Sequence, residues 1–189
     1  MRLADFDNSN FDRGRPRWVE VCWRAVEGLF FNSWLPGSGW RVWLLRLFGA
    51  QVGNGVVIKP HVRVKFPWKL IIGDHTWIGE SVWIDNLAEV RIGSNCCISQ
   101  GAYFCTGSHR WDRETFELET KPIVIEDECW VGAKTQIAPG VVMQSGAVLT
   151  LGSIASSNMA GGSIHTGMPA VRVKTRVKTQ ESKNEIHDT

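Results

Sequence analysis

IEDECWVGAKTQIAPGVVMQSGAVLTLGSI, residues 125–154, counts in sixes. Each block of six opens on an aliphatic residue: Ile125, Val131, Ile137, Met143, Leu149. Each carries a small or β-branched residue in fifth place: Cys129, Thr135, Val141, Ala147, Ser153. A strand repeats every two residues and a helix every 3.6, and a period of six matches neither by itself. A short fixed period means stacked coils, and a hexapeptide period means a parallel β-helix. One block is then one flat side of a prism. Its first residue points into a narrow interior. Its fifth residue also points inward, close to a corner, and must be small. Gly or Asn at the turn allows the positive φ of a tight corner. Three sides close a coil, which predicts a rung of about 18 residues.

The count extends toward the N-terminus. VGNGVV (52–57), IKPHVR (58–63), IGDHTW (72–77), IGESVW (78–83), IDNLAE (84–89), IGSNCC (92–97) and ISQGAY (98–103) obey the same rule, with Gly common in second place. Its breaks are informative. Two extra residues separate Ile84 from Ile92. The side after Ile98 would begin at Phe104 and end at His109, yet the pattern resumes only at Ile125. A loop over residues 106–122 is therefore extruded from one corner. Long irregular loops in compact domains are usually functional. The stretch FCTGSHRWD (104–112) places His109 at the base of this one.

Three regions follow: an arm and helical cap over residues 1–50, the β-helix over 51–173, and a polar tail over 174–189. Within the cap, Trp18, Val19, Cys22, Trp23, Val26 and Phe30 share one helical face. A second helix carries Trp40, Trp43, Leu44, Leu47 and Phe48 on one side, with Arg41 and Arg46 on the other. Packing against the open end of the β-helix accounts for these faces. Peripheral membrane contact through the Trp-rich helices is the alternative.

The 189 residues are 43% hydrophobic and 21% charged, with a net charge of +2, a balance that predicts no nucleic-acid partner. Five cysteines, odd in number and without a CxxC pair, fit reduced thiols in a cytoplasmic protein. Cys96 and Cys129 hold fifth positions and read as core filling. VCWRAVEGLFFNSWL is too short and too charged to span a bilayer.

The sequence resembles the hexapeptide-repeat acyltransferases with a left-handed parallel β-helix, and among them the WcaF-type acetyltransferases of colanic acid biosynthesis. The resemblance covers residues 40–175. It rests on LLRLFGAQVGNGVVIKP (44–60), PWKLIIGD (67–74), ISQGAYFCTGSHRWD (98–112), PIVIEDECWVGAKTQIAPGVV (122–142) and GMPAVRV (167–173). It implies O-acetyl transfer from acetyl-CoA, with no metal, to a sugar or lipid-linked saccharide in exopolysaccharide biosynthesis. It implies a homotrimer that binds acetyl-CoA in a groove between neighbouring prisms. By the same resemblance His109 is the catalytic base, and Ala133, Leu151 and Gly152 line the groove. Arg172 and Lys174 face the CoA phosphates, and Asp85 and Asn86 contact the acceptor.

The chemistry suits histidine. A sugar hydroxyl is a very weak acid, and a residue with an ordinary pKa near 6.5 can take its proton during attack. The same imidazolium can protonate the departing thiolate. A loop carbonyl, Asp112 or Glu114 are the candidates to orient the ring. Other small acceptors (serine, a xenobiotic, an amino sugar) are the alternative within acetyl transfer. A metal-dependent hydrolyase of the gamma carbonic anhydrase type is the alternative outside it, and would need three converging histidines.

Overall fold

The computed structural model describes residues 3–9 and 11–177. The chain winds round a three-sided prism, visiting three parallel sheets in rotation. The first face stacks Gln51–Val52, Leu70–Ile72, Val90–Ile92, Ile123–Ile125 and Val142–Met143. The second stacks Val57–Ile58, Trp77–Ile78, Cys97–Ile98, Trp130–Val131, Val148–Leu149 and Ser163–Gly167. The third stacks Arg63–Val64, Trp83–Asp85, Tyr103–Cys105, Gln136–Ile137 and Ile154–Ala155. After the last second-face strand the chain reverses into an antiparallel strand, Ala170–Thr175. The tail expected from residue 174 thus begins inside a strand, and residues 178–189, with His187, lie outside the described residues.

The inward rule holds almost throughout. The block-opening residues from Ile58 to Leu149 are buried, none more than 3% exposed. The fifth residues are buried too, from Val56 to Ser153, with Ala88 the one exception. The turns sit at the fourth residue. His61, His75, Ser81, Asn95, Glu128 and Lys134 all take φ of 55–59°, and Gly55, Gly101, Gly140, Gly146 and Gly152 take the same sign. The corner geometry is therefore imposed by coil closure whatever the side chain, although a non-glycine residue there costs about 1 kcal/mol or more. Glycine in second place has a different cause. A Cβ on Gly132 would lie 2.7 Å from the Leu149 carbonyl oxygen of the next coil, so these residues let the coils stack.

The expected rung of about 18 residues is realised in one coil, where Val124 pairs with Val142, Trp130 with Val148 and Gln136 with Ile154. Gln51 pairs with Ile71 and Leu70 with Val90, steps of 20. Val148 pairs with Ile164, a step of 16. The two added residues in each early coil widen one corner, that between the third and first faces. VKFPWK is thus a further block, with Val64 buried and Pro67–Lys69 forming a short 3-10 turn. The same widening leaves Ala88 half-buried and gives its inward place to Val90. At the third coil the corner opens fully, and the extruded segment is not irregular: Gly107–His109 pairs antiparallel with Leu118–Thr120 in a hairpin.

The cap closes the exposed edge of the first coil. Helix α1 spans Arg17–Val26 and continues as a π turn over Glu27–Phe31, where Asn32 N–H reaches the Glu27 carbonyl. Trp23 is buried within α1 while Trp18 and Cys22 are exposed, and the wider turn that follows buries Phe31 in place of Phe30. Helix α2, Gly39–Leu47, buries Arg41, Val42 and Leu45 and turns Trp43 and Leu47 outward, a rotation from the expected face. Arg41 explains it. Its guanidinium donates to the carbonyls of Phe31, Ser33, Leu35 and Gly37, the turn that joins the helices.

Each open strand edge gains a side-chain partner. Arg46 donates to the carbonyls of Val52 and Gly53 on the first face. The Ser38 hydroxyl serves both backbone groups of Ile58 on the second. On the third, Trp23 Nε1 donates to Val64 O at 2.7 Å, and Glu27 Oε1 accepts from Val64 N–H at 2.9 Å. The cap thus satisfies an edge that would otherwise present unpaired backbone groups.

Candidate active site

His109 closes the first strand of the hairpin. Thr106 anchors the hairpin's base, its hydroxyl donating to the Asp85 carbonyl at 2.9 Å. The His109 ring lies parallel to the Phe116 ring, with centroids 4.3 Å apart. Its Nδ1 stands 2.9 Å from the Phe116 carbonyl oxygen. A carbonyl only accepts, so Nδ1 carries the proton and Nε2 keeps its lone pair. Of the three candidate orienting groups, the loop carbonyl occupies the place. Asp112 is held instead by Arg110 through two hydrogen bonds, which draw its carboxyl down to about 2. Phe116 takes φ of 49°, unusual for a bulky residue, which marks the turn that aims its carbonyl at His109.

The N-terminal arm completes this corner, and nothing in the sequence pointed to it. Phe6 meets the His109 ring with centroids 5.9 Å apart. Trp68 Nε1 donates to the Arg13 carbonyl and Lys69 Nζ to the Asp12 carbonyl, so the arm is tied to the widened corner. Between arm, corner and hairpin lies a cleft of about 580 Å³, with Asp7, Phe11, Trp68, Lys69, Glu89 and Glu117 on its walls. The signal for it was the pair of residues added per early coil, which makes room for Trp68 and Leu87.

Asp85 and Asn86 lie at this corner one coil earlier. Asp85 Oδ1 pairs with Lys65 at 3.0 Å, and Tyr103 donates to Oδ2 at 3.4 Å. Burial and the neighbouring Cys105 and Asp85 raise the Tyr103 hydroxyl, which keeps it a donor. Asn86 is fully buried, and its amide is engaged with both backbone groups of Phe66, a clamp across the corner.

Three other site residues gather at the next corner, between the second and third faces. Ala133, Leu151 and Gly152 stack there, with Gly152 N–H bonded to the Ala133 carbonyl. The GMPA turn is tied to this corner, Ser153 Oγ accepting from Gly167 N–H at 3.0 Å, while Leu151 stays exposed. Arg172 and Lys174, two residues apart on the returning strand, are exposed and share a face. A groove of about 410 Å³ near the same corner in earlier coils is bordered by Gly79, Glu80, Ser99 and Gln100. His165 is buried in register with Leu149, its Nε2 3.0 Å from Ser163 Oγ, and burial lowers its basicity. His61, His75 and His109 fall at three different corners, and among the described residues no three metal-ligating side chains converge.

Stacked hexapeptide coils place the chain among the hexapeptide-repeat β-helix proteins. The comparisons narrow this. The chain is 40% identical over 180 residues to a protein of Escherichia coli (strain K12) that bears the name colanic acid biosynthesis acetyltransferase WcaF, covering 94% of this chain and 98% of that one. It superposes on a hexapeptide-repeat acetyltransferase from Vibrio cholerae O1 biovar eltor, solved with acetyl coenzyme A, with a TM-score of 0.81 and 25% identity. That match covers 94% of this chain and all (100%) of the other. A galactoside acetyltransferase in complex with coenzyme A shares the fold, with a TM-score of 0.78 and 21% identity over 88% of this chain and 84% of that one. No family model matches the chain. The chain belongs to the WcaF-type acetyltransferases, enzymes of the hexapeptide β-helix class that use acetyl-CoA.

Proposed function

We propose that the protein transfers an acetyl group from acetyl-CoA to a sugar hydroxyl in exopolysaccharide biosynthesis, with His109 as general base. The observation that carries this reading is the His109 ring, locked by Phe116 with Nε2 left to accept a proton. Nε2 takes the hydroxyl proton as the sugar oxygen attacks the thioester carbonyl carbon. The tetrahedral oxyanion collapses, the C–S bond breaks, and the thiolate leaving takes the proton back from Nε2. No covalent enzyme intermediate is needed. The 580 Å³ cleft beside the hairpin, which His109 itself does not line, offers a sugar the aromatic faces of Phe11 and Trp68 and carboxylates that accept from hydroxyls. Asp85 steadies the acceptor side of the corner, and Asn86 acts there as an internal clamp.

His109 and the Ala133–Leu151–Gly152 wall stand at opposite edges of the third face. A site needing both is best completed by a second copy, in a homotrimer whose neighbouring prisms hold acetyl-CoA between them. Arg172 and Lys174 then attract its phosphates. The direct test follows thiol release from acetyl-CoA with a panel of sugar acceptors. His109→Ala should lower turnover by about 10²-fold or more while leaving CoA affinity nearly unchanged. Retention of more than about a tenth of wild-type turnover contradicts the assignment.

A further inference from the structure

The outer surface of the cap is unused by the fold. Its inner side is engaged in closing the first coil, yet Trp18, Leu29, Phe30, Trp34, Trp43 and Leu47 are 53–73% exposed. Phe30, Leu35, Trp40 and Trp43 border an apolar groove of about 400 Å³ there. Burial of hydrophobic surface therefore does not explain these side chains, as the core is complete without them.

The charge beside them is one-sided. Residues 13–47 contain six arginines and two carboxylates, Glu20 and Glu27. Glu20 is paired with Arg13 at 2.8 Å, and Glu27 is buried against Val64. Arg15 and Arg17 are exposed; Arg24 and Arg46 are exposed as well but engaged, Arg24 with Glu27 at 3.3 Å and Arg46 with the carbonyls of Val52 and Gly53. The excess is local: residues 13–47 carry +4, while the arm, with Asp5, Asp7 and Asp12, brings the whole of residues 1–50 to +2, and residues 51–189 are neutral.

We propose that the cap docks in plane on an anionic phospholipid surface. Exposed Trp, Phe and Leu enter the boundary between headgroups and acyl chains, and the arginines meet lipid phosphates. Among the described residues no helix is long and apolar enough to cross a membrane, so the contact is peripheral. A second copy is a poor occupant of the same surface, because two such ends would bring like charges together. The surface lies at the end of the prism, which leaves the His109 corner and the groove corner free. If the trimer proposed above holds, three caps face the same way and bind additively.

The test is flotation of the full chain with vesicles of phosphatidylcholine plus phosphatidylglycerol, against vesicles of phosphatidylcholine alone. The wild type should float with the anionic vesicles, and less so as salt rises. Trp34→Ser with Trp43→Ser, and separately Arg17→Glu, should each weaken flotation roughly tenfold or more. Melting temperature and CoA binding of the variants verify that each still folds. Three results overturn the proposal: no flotation with anionic vesicles, equal flotation of wild type and both variants, or self-association of trimers through the cap that the same variants abolish. None of these readings depends on acetyl transfer, so the lipid contact and the enzymatic reading fail separately.

Discussion

Two side chains show how single residues set behaviour here. Burial raises the Glu27 carboxyl above its ordinary value of 4.5, with the Val64 N–H and the charge of Arg24 opposing. The folded protein thus holds this proton more tightly than the unfolded chain. The stabilisation is complete below about 4.5 and is lost as pH rises through the raised folded value. Glu27→Gln keeps an acceptor for Val64 and never ionises. Thermal melts of both proteins across pH should show the variant gaining on the wild type as pH increases. Glu27→Ala leaves the Val64 N–H without its partner and should cost about 1–3 kcal/mol at any pH. Asp112 is a contrasting case. The sequence offered it as a ring-orienting group, but its carboxylate is engaged by Arg110. Asp112→Asn should leave turnover within about threefold of wild type, because the carbonyl of Phe116 does the orienting.

At the scale of elements, the coil has no slack. Ala147 is fully buried at an inward corner position, with its coil tied to the next on both sides. Ala147→Leu should cost about 1–3 kcal/mol, at the upper end because the corner cannot move, and a melting curve reads it. Gly132→Ala should also destabilise, since its Cβ would press on the Leu149 carbonyl oxygen 2.7 Å away. The prism was legible because inward positions recur at fixed spacing and admit few residue types. The cap's faces were not. Arg41, placed by the pattern on the polar side of α2, is buried on four carbonyls of the joining turn, and the π turn over Glu27–Phe31 moved the burial from Phe30 to Phe31. The hairpin was hidden for a different reason. Its strands are three residues each and polar, so no alternation announced them. That His109 stands where the count breaks was legible, while the arm packed beside the hairpin depends on contacts such as Trp68 to Arg13, which span more than fifty residues.

On the proposed reading the whole molecule is a prism with two working corners and an exposed, apolar, arginine-bearing end. The corners need different neighbours: one carries the histidine, the other the groove. The central claim is that one complete site takes His109 from one copy and the Leu151–Gly152 wall from the next. Mixing two inactive proteins tests it most directly, His109→Ala with Gly152→Trp, after unfolding and joint refolding. In a cyclic trimer every mixed assembly then contains one interface with both intact halves, so mixed trimers should recover roughly a third of wild-type turnover. If instead each chain held its site alone, every chain in the mixture would carry a fault. Joint refolding into mixed trimers that release no thiol from acetyl-CoA above the parent level would contradict the account.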